Sequence, residues 1–356
     1  MTDKGSATSY EAGLEGASTS VAEFREERSF LKTVQHWLHQ TPSAVPMIVL
    51  AVSVVIFALL SSNFFKATTM STILQQIAIV GILGCAQAIV VMTKGIDLSV
   101  GAIAVFCSVI MGQFTFRYGL PPELAILVGL AAGTAMGFVN GWLVAKMKLP
   151  PFIVTLGTWQ ILLASNFIFS ANETIRSQDL RENAPILQFW GNAFEPGGVK
   201  VLYAVFLMIV LVAIMAYVLR STAWGRHVYA VGDDAEAAQL AGVRTDRVLI
   251  QVYALAGLFC AIAGWVMIGR FGSVSPTAST GQLGNIQSIT AVVIGGISLF
   301  GGRGSIVGMF FGALIVGVFE MGLRLVGTDP QWTFFLIGVL IIFAVAIDQW
   351  IRKETA

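Results

Sequence analysis

Apolar runs of about 20 residues recur along this chain, and they limit its possible folds more than any other feature. The chain has 356 residues, of which 56% are hydrophobic and 12% are charged, whereas soluble proteins carry about 25% charged residues. A run of this length crosses the bilayer core as a helix, because a helix satisfies all its backbone polar groups internally. The sequence therefore predicts an all-α, polytopic integral membrane protein.

The apolar runs predict about ten transmembrane helices, with eight as the lower limit. They lie at about 44–63, 71–92, 97–116, 123–146, 152–170, 200–219, 248–270, 285–299, 304–324 and 331–349. The eighth run is short, which indicates a broken or re-entrant segment. We expect a polar N-terminal tail over 1–43, a transmembrane domain over 44–350 and a short C-terminal tail over 351–356.

The distribution of basic residues predicts the orientation. With the N-terminus inside, the inner loops and tails hold fourteen lysines and arginines and the outer loops hold seven. Basic residues favour the cytoplasmic side, so both termini and the loop over about 220–247 are expected in the cytoplasm. The formal net charge of +1 gives no indication of a nucleic-acid partner.

The segment VGDDAEAAQLAGV, residues 231–243, has the pattern of a short soluble helix. Asp233 is placed to cap it, Glu236 three residues later completes a capping box, and Gly242 supplies a left-handed stop. Two helical turns are unstable alone in water, so this helix needs a surface. The pattern leaves open whether that surface belongs to the same protein or to a soluble partner.

Two turn motifs separate apolar runs. In TKGIDLSVGAIAVF, residues 93–106, Asp97 is expected to cap the following helix with Ser99 beside it, and a buried proton or cation site is the alternative. In AVVIGGISLFGGRGSIVG, residues 291–308, five glycines predict a tight turn or broken helix: Gly295, Gly296, Gly301, Gly302 and Gly304. The second motif lacks the Gly-Lys pair of a P-loop. A faint echo between GIDLSVG and GISLFGG raises the suspicion of an internal duplication.

Regularly spaced glycines predict close helix packing. They are Gly129, Gly133, Gly137 and Gly141 in one predicted helix, and Gly304, Gly308 and Gly312 in another. Glu320 and Arg324 have the order of a helical ion pair. Amides inside the predicted spans suit a polyhydroxylated solute better than an ion, and each is a candidate for either the pathway or packing; they include Asn140, Gln160, Asn285 and Gln287.

The motifs together resemble a known family. GIDLSVGAI, LPPFIVTLGT, GRHVYAVGDDAEAAQLAGV and AVVIGGISLFGGRGS are similar to the permease subunits of bacterial ABC sugar importers of the ribose, xylose and fructose type. The resemblance covers residues 45–350, and the C-terminal stretch is most similar to the fructose permease. Many relatives have an E-L-D-x-I-A pattern where this chain has Asn285-Ile286-Gln287-Ser288-Ile289-Thr290. Amides replace both acids, so the resemblance does not fix the sugar.

The resemblance implies partners and a role for the soluble helix. It implies a homodimer in the bacterial inner membrane, an ABC ATPase on the cytoplasmic side, a periplasmic sugar-binding protein and a monosaccharide substrate. It implies no catalytic residue, cofactor or metal in this chain. The coupling helix that contacts the ATPase would comprise Asp233, Asp234, Glu236, Ala237, Ala238, Leu240 and Gly242. The pathway or its supporting structure would include Asp97, Asn140, Gln160, Asn285 and Gln287, with Gly295, Gly296, Gly301 and Gly302.

Two other classes of protein compete with this interpretation. A secondary transporter driven by protons or sodium needs a functional acid in mid-membrane, for which Asp97 and Glu320 are the candidates. An integral-membrane enzyme needs clustered catalytic side chains. The chain has only three histidines, and Cys85, Cys107 and Cys260 lie far apart in apolar runs. The enzyme is therefore disfavoured.

Overall fold

The computed structural model describes residues 44–353, apart from the side chains of residues 196, 278–280, 330, 347, 348 and 350–353. The predicted tail over 1–43 lies outside the described residues, as do residues 354–356. The α-helices are α1 Ala44–Leu60, α2 Ala67–Met92, α3 Val100–Phe116, α4 Pro122–Lys146, α5 Pro151–Ser170, α6 Ser177–Asn183, α7 Tyr203–Ser221, α8 Ala223–Asp233, α9 Ala235–Leu240, α10 Thr245–Phe271, α11 Ala278–Ile294, α12 Ile306–Val326 and α13 Pro330–Lys353.

Each of the ten predicted segments corresponds to one helix. Within the described residues, six helices are long and apolar enough to cross a membrane: α2, α4, α5, α7, α10 and α12. Three shorter apolar helices lie at Ala44–Leu60, Val100–Phe116 and Gln331–Ala346. The fold is thus an all-α polytopic membrane protein, while the count of ten spans and the cytoplasmic termini stay predictions.

The connection between α5 and α7 contains the only strands among residues 44–353. A 3-10 helix, Pro185–Gly191, leads into β1 Ala193–Phe194, which pairs antiparallel with β2 Val201–Leu202 across a second 3-10 turn, Pro196–Gly198. Ile175 and Val274 exchange two backbone hydrogen bonds of 2.9 and 3.1 Å, which attach the start of this connection to the segment after α10. The sequence predicts no strand here, because strands of two residues leave no alternating pattern.

Helices α4 and α10 approach each other through glycines. A Cβ built on Gly133 would lie 2.7 Å from the carbonyl oxygen of Gly257, and one on Gly137 would lie 3.0 Å from the Gly257 Cα. Gly141 meets Ile250 in the same way, at 2.9 Å from its Cα. Distances this short leave no room for any side chain, so the first glycine series is confirmed as a packing surface.

The second glycine series packs α12 against α11 over two of its three members. A Cβ on Gly295 would lie 2.6 Å from the Gly308 carbonyl oxygen, and one on Gly312 would lie 2.8 Å from the Gly295 nitrogen. Gly304 is different. It precedes the start of α12 at Ile306 and has φ +131°, so it forms part of the turn and not of the helix face. The prediction for Gly304 is wrong because the helix begins later than its apolar pattern does.

Helix α2 lies at the centre of the molecule. Every residue from Ile77 to Met92 is buried, and α2 packs against α7, α10, α11 and α12. A helix surrounded on all sides has no amphipathic face. The turn that follows α2 is consequently held in a fixed position by the core.

Candidate functional site

The site is built around the unit of α8 and α9, which joins the spans α7 and α10. Helix α8 begins at a cap in which the Thr222 hydroxyl accepts the Gly225 N–H at 3.1 Å. Val228 and Val231 are buried on one side of α8. The α8–α9 unit is therefore anchored to the body of the protein along α8.

Asp234, and not Asp233, caps helix α9. One Asp234 carboxylate oxygen accepts the N–H of Glu236 at 2.9 Å and the N–H of Ala237 at 3.0 Å. Asp233 is the last residue of α8, and the Asp234 N–H donates to Ala230. The predicted capping box is therefore wrong. Asp233 and Asp234 both fit the N-cap pattern. Asp234 has the role because α8 continues through Asp233.

Hydrogen bonds stabilise both ends of the short helix α9. The N–H groups of Ala237 and Glu236, which donate to Asp234, lower the pKa of its carboxyl below the ordinary value. The cap is thus intact at neutral pH and is lost only as the pH falls through that lowered pKa. At the other end, Gly242 has φ +88° and Val243 N donates to Ala238 O at 3.0 Å, which confirms the predicted glycine stop.

Helix α9 projects away from the protein. Leu240 is 90% exposed, whereas Ala238 is the one buried residue of the helix. Helix α9 therefore presents its outer face, with the apolar Leu240 side chain, to the surroundings.

The base of the α8–α9 unit packs directly against both turn motifs. The Lys94 ammonium donates to the Asp233 carbonyl oxygen at 2.6 Å, and Gly302 N donates to Met92 O at 3.0 Å. A Cβ on Gly302 would lie 2.8 Å from the Asp233 Cα. The Tyr229 hydroxyl donates to Gly304 O at 2.9 Å. We call this junction of residues 92–95, 229–233 and 301–304 the clasp.

The clasp and the turn that leads into it depend on left-handed backbone conformations. Gly296, Gly301 and Gly302 have φ of +77°, +78° and +71°, which glycine adopts without steric cost. Lys94 has φ +63° although it carries a side chain, which costs about 1 kcal/mol. The predicted tight turn over the glycine-rich motif is confirmed. Gly295 ends α11 with ordinary helical angles and serves the packing against α12.

The two turns resemble each other locally. Gly95 N donates to Val90 O at 3.0 Å, and Ile297 N donates to Val292 O at 3.1 Å. Ser99 N donates to the Asp97 carboxylate at 2.7 Å, and Phe300 N donates to the Ser298 hydroxyl at 3.3 Å. In each turn, a backbone N–H bonds to the carbonyl oxygen five residues earlier and ends the helix. A polar side chain then accepts the backbone N–H two residues after it. Internal duplication stays a prediction.

Asp97 does not cap α3. Its carboxylate accepts the backbone N–H of Ser99 at 2.7 Å and the Ser99 hydroxyl at 2.6 Å, and Asp97 is only 2% exposed. The helix begins at Val100, so Asp97 lies too early to reach the helical N–H groups. Its bonds stabilise the turn, and the alternative of a proton or cation site stays a hypothesis.

Two of the candidate amides hold that turn in place. Asn285 of α11 accepts the Gly101 N–H at 2.8 Å and donates to the Leu98 carbonyl oxygen. Asn140 of α4 donates to the Ser99 hydroxyl at 3.1 Å and accepts from Thr158 at 2.6 Å. Both amides are buried. Asn140 and Asn285 thus connect the turn to α4, α5 and α11, and a part in the pathway stays a prediction for both.

The other two amides are in different surroundings. Gln160 is exposed on α5 and lines no described cavity. Gln287 is half-buried and lines a cavity of about 150 Å³ together with Glu320 and Arg324.

The predicted ion pair between Glu320 and Arg324 is wrong, because the two charged groups do not approach within 4.0 Å. The ion pairs among described residues join Asp246 to Lys146 and Lys148, and Glu195 to Lys200.

The ion pairs of Asp246 were missed by sequence reasoning. Lys148 and Lys146 contact its carboxylate at 2.8 and 3.0 Å, and their hydrogen bonds lower the pKa of Asp246. They join the end of α4 to the start of α10, just after the α8–α9 unit. The sequence shows two lysines at the end of one predicted span and an acid before another. Nothing in their spacing indicates that they form ion pairs.

Within residues 44–353, no group of three or more His, Cys, Asp or Glu side chains is arranged to hold a metal ion. What the structure brings together is a multi-pass helical body and an exposed, capped short helix whose base is packed on two turns of similar local geometry. Such an arrangement is that of a multi-pass membrane protein with an exposed short helix between two of its long helices.

Comparison with known proteins identifies the family. Residues 69–345 match the family described as the branched-chain amino acid transport system / permease component. The fructose import permease protein FrcC of Rhizobium meliloti is 64% identical over 98% of this chain and 96% of its own length. The ribose import permease protein RbsC of Bacillus subtilis is 34% identical, over 87% of this chain and 93% of its own. The galactose/methyl galactoside import permease protein MglC of Escherichia coli (strain K12) is 31% identical, over 86% and 94%. The chain belongs to this family of permeases.

Proposed function

We propose that this protein is the membrane-spanning permease subunit of an ATP-driven importer for a monosaccharide, with fructose as the first candidate. Membership of the permease family and the names of the relatives support this proposal. A permease of this kind moves its solute without covalent chemistry, and ATP is hydrolysed by a partner subunit. It therefore works as a transporter component and not as an enzyme.

The observation that carries the mechanism is the position of α9. The helix is exposed, ends at the 90% exposed Leu240, and is joined through Asp233 to the clasp. In the proposed mechanism, α9 is the coupling helix. It inserts into a groove on an ATPase subunit in the cytoplasm, and movement of that subunit is transmitted through α8.

The clasp would carry this movement to the spans. A shift of Asp233 acts on Lys94 and, through the Gly302–Met92 hydrogen bond, on the ends of α2 and α11. From residue 95 onward, the turn is held by Asn285 of α11 and by Asn140, which connects it to two more helices, α4 and α5. Displacement of α9 is thereby transmitted to several spans together, as expected for a tightly packed protein that switches between two conformations.

The proposal includes assembly in the bacterial inner membrane. Two copies of this chain would enclose the solute pathway, a periplasmic binding protein would deliver the sugar on the outer face, and both termini would be cytoplasmic. The excess of basic residues in the loops on the α8–α9 side supports this orientation.

Uptake into membrane vesicles tests the proposal. Vesicles carrying the permease, its ATPase and its binding protein are loaded with ATP and given labelled fructose, ribose or galactose. We expect accumulation of one of these sugars to require ATP and the binding protein, and to persist when a protonophore dissipates the proton gradient. Uptake driven by an imposed proton or sodium gradient without ATP would establish the secondary transporter instead.

A further inference from the structure

Helix α11 is the least apolar of the long helices, and this singles it out. It is absent both from the helices apolar enough to cross a membrane and from the shorter apolar helices among the described residues. It carries polar side chains on several sides; the described ones are Gln282, Asn285, Gln287, Ser288 and Thr290. Asn285 is used in packing, whereas Gln282 is exposed and Gln287 half-buried. Polar side chains that face outward from a helix within a membrane are expected to face water or a polar solute.

The side of α11 that carries Gln287 borders a cavity between α11, α12 and α13. The cavity volume is about 150 Å³, which is room for several water molecules or a small solute. Its wall includes Gln287, Thr290, Glu320, Arg324, Thr333 and Phe334. The cavity thus combines hydrogen-bonding groups with an aromatic side chain.

The Glu320 carboxylate in this wall has no hydrogen bond to another described residue and no described cation within 4.0 Å. Two neighbouring hydroxyls cannot donate to it, because Thr290 donates to Ile286 O at 2.7 Å and Thr328 donates to Leu323 O at 2.9 Å. An acid in an apolar helix is costly unless donors reach it. Glu320 is therefore available to accept hydrogen bonds from a molecule in the cavity.

The other wall residues limit what that molecule is. A cation would meet the Arg324 guanidinium, an anion would meet the Glu320 carboxylate, and an acyl chain would leave both charges and Gln287 without partners. A neutral molecule with several hydroxyls is compatible with all of them. Its hydroxyls donate to Glu320 and accept from Gln287 and Arg324, while Phe334 and Ile337 offer apolar surface to a C–H face.

We propose that this cavity is a contact site for the transported monosaccharide, in which Glu320 and Gln287 bind its hydroxyl groups. The inference rests on the proposed function, since it assumes that a sugar crosses this protein. It adds a determinant of sugar selectivity inside the permease, beside the selection made by a binding protein. Glu320 lies near the end of α12 and Phe334 near the start of α13, so the site is nearer the face opposite the clasp.

The test compares two cavity variants with two matched controls. Gln287→Ala and Glu320→Gln change the cavity, whereas Gln178→Ala and Glu123→Gln make the corresponding changes at exposed positions that line no described cavity. Each variant is reconstituted with its ATPase and binding protein. Initial rates of labelled fructose and ribose uptake are measured, together with ATP hydrolysis stimulated by the binding protein.

We expect each cavity variant to change the fructose-to-ribose rate ratio by about three- to tenfold, the effect of one lost hydrogen bond, with stimulated ATP hydrolysis retained. The controls should leave the ratio unchanged. An unchanged ratio in both cavity variants overturns the site. Equal loss of both sugars also overturns it, because a packing role affects every substrate alike.

Two further measurements keep the result decisive. If Glu320→Gln does not reach the membrane, Thr333→Val, which removes a hydroxyl at constant shape, takes its place with the same criteria. ATP dependence of uptake by the unaltered protein is measured first. Its absence would reject the importer itself, whereas its presence with an unchanged ratio would reject only the cavity site.

Discussion

At the scale of single residues, Lys94 combines a strained backbone conformation with a specific side-chain hydrogen bond. Its backbone is left-handed, which favours glycine, yet its side chain supplies the 2.6 Å hydrogen bond to the Asp233 carbonyl oxygen. A residue in a strained conformation that also makes a specific bond is expected where the bond matters to function.

Replacement of Lys94 by glycine separates these two effects. Lys94→Gly relieves backbone strain of about 1 kcal/mol and removes the ammonium group. We expect the thermal unfolding temperature in detergent to stay the same or rise, while ATP hydrolysis stimulated by the binding protein falls severalfold. Ala171→Gly, at another positive-φ residue (φ +51°), is the control for relief of strain away from the clasp, because the Ala171 methyl group makes no hydrogen bond or ion pair. A variant with normal stimulation would show that the Lys94 bond is dispensable for coupling.

Residue roles were only partly predictable from the sequence. The motifs that contain Asp97, Asp234 and Asn285 are evident, but their partners come from other parts of the chain. Gly101 and Asn285 are 184 positions apart, and Lys94 and Asp233 are 139 apart. No local pattern pairs such residues, so pathway and packing amides are indistinguishable until the fold places them.

At the scale of elements, the long helices were predictable because each needs an apolar run of fixed length. The boundary of α11 was not. Its predicted span over 285–299 is displaced by several residues from Ala278–Ile294, because a polar first half gives no hydropathy signal. Very short elements carry little sequence information. For this reason the sequence predicts neither the two-residue strands nor the cap at Asp234 in place of Asp233.

The glycine contact between α4 and α10 gives a prediction at this scale. Gly137→Val places a branched side chain against the backbone of Gly257 and forces the two helices apart. We expect a loss of several kcal/mol in stability, as for overpacked cores, seen as a marked fall in the unfolding temperature in detergent. Gly157→Val on α5 is the matched control, since a Cβ there meets nothing within 4 Å. Equal effects of the two changes would refute close packing at Gly137.

At the scale of the whole molecule, the family and its transport role were predictable because four ordered motifs recur along the chain. The assembly was not. Large apolar side chains are exposed on α1, α5, α7 and α13, and both lipid and a second copy of the chain would cover such surfaces equally well. Composition alone does not separate these two partners, which is why the homodimer remains part of the proposal.

The central claim is that α9 transmits the action of the ATPase to the clasp, and one pair of variants tests it most directly. Ala238→Pro removes the 3.0 Å hydrogen bond from Ala238 N to Asp234 O and breaks α9. Ala235→Pro makes the same change at the first helical position, which tolerates proline, after Asp234 with φ −148° and ψ 107°.

The measurement is ATP hydrolysis by the reconstituted complex with and without the sugar-loaded binding protein. Ala238→Pro is expected to abolish the stimulation while the permease still accumulates in the membrane, and Ala235→Pro is expected to retain most of it. Full stimulation in Ala238→Pro would contradict the coupling role of α9.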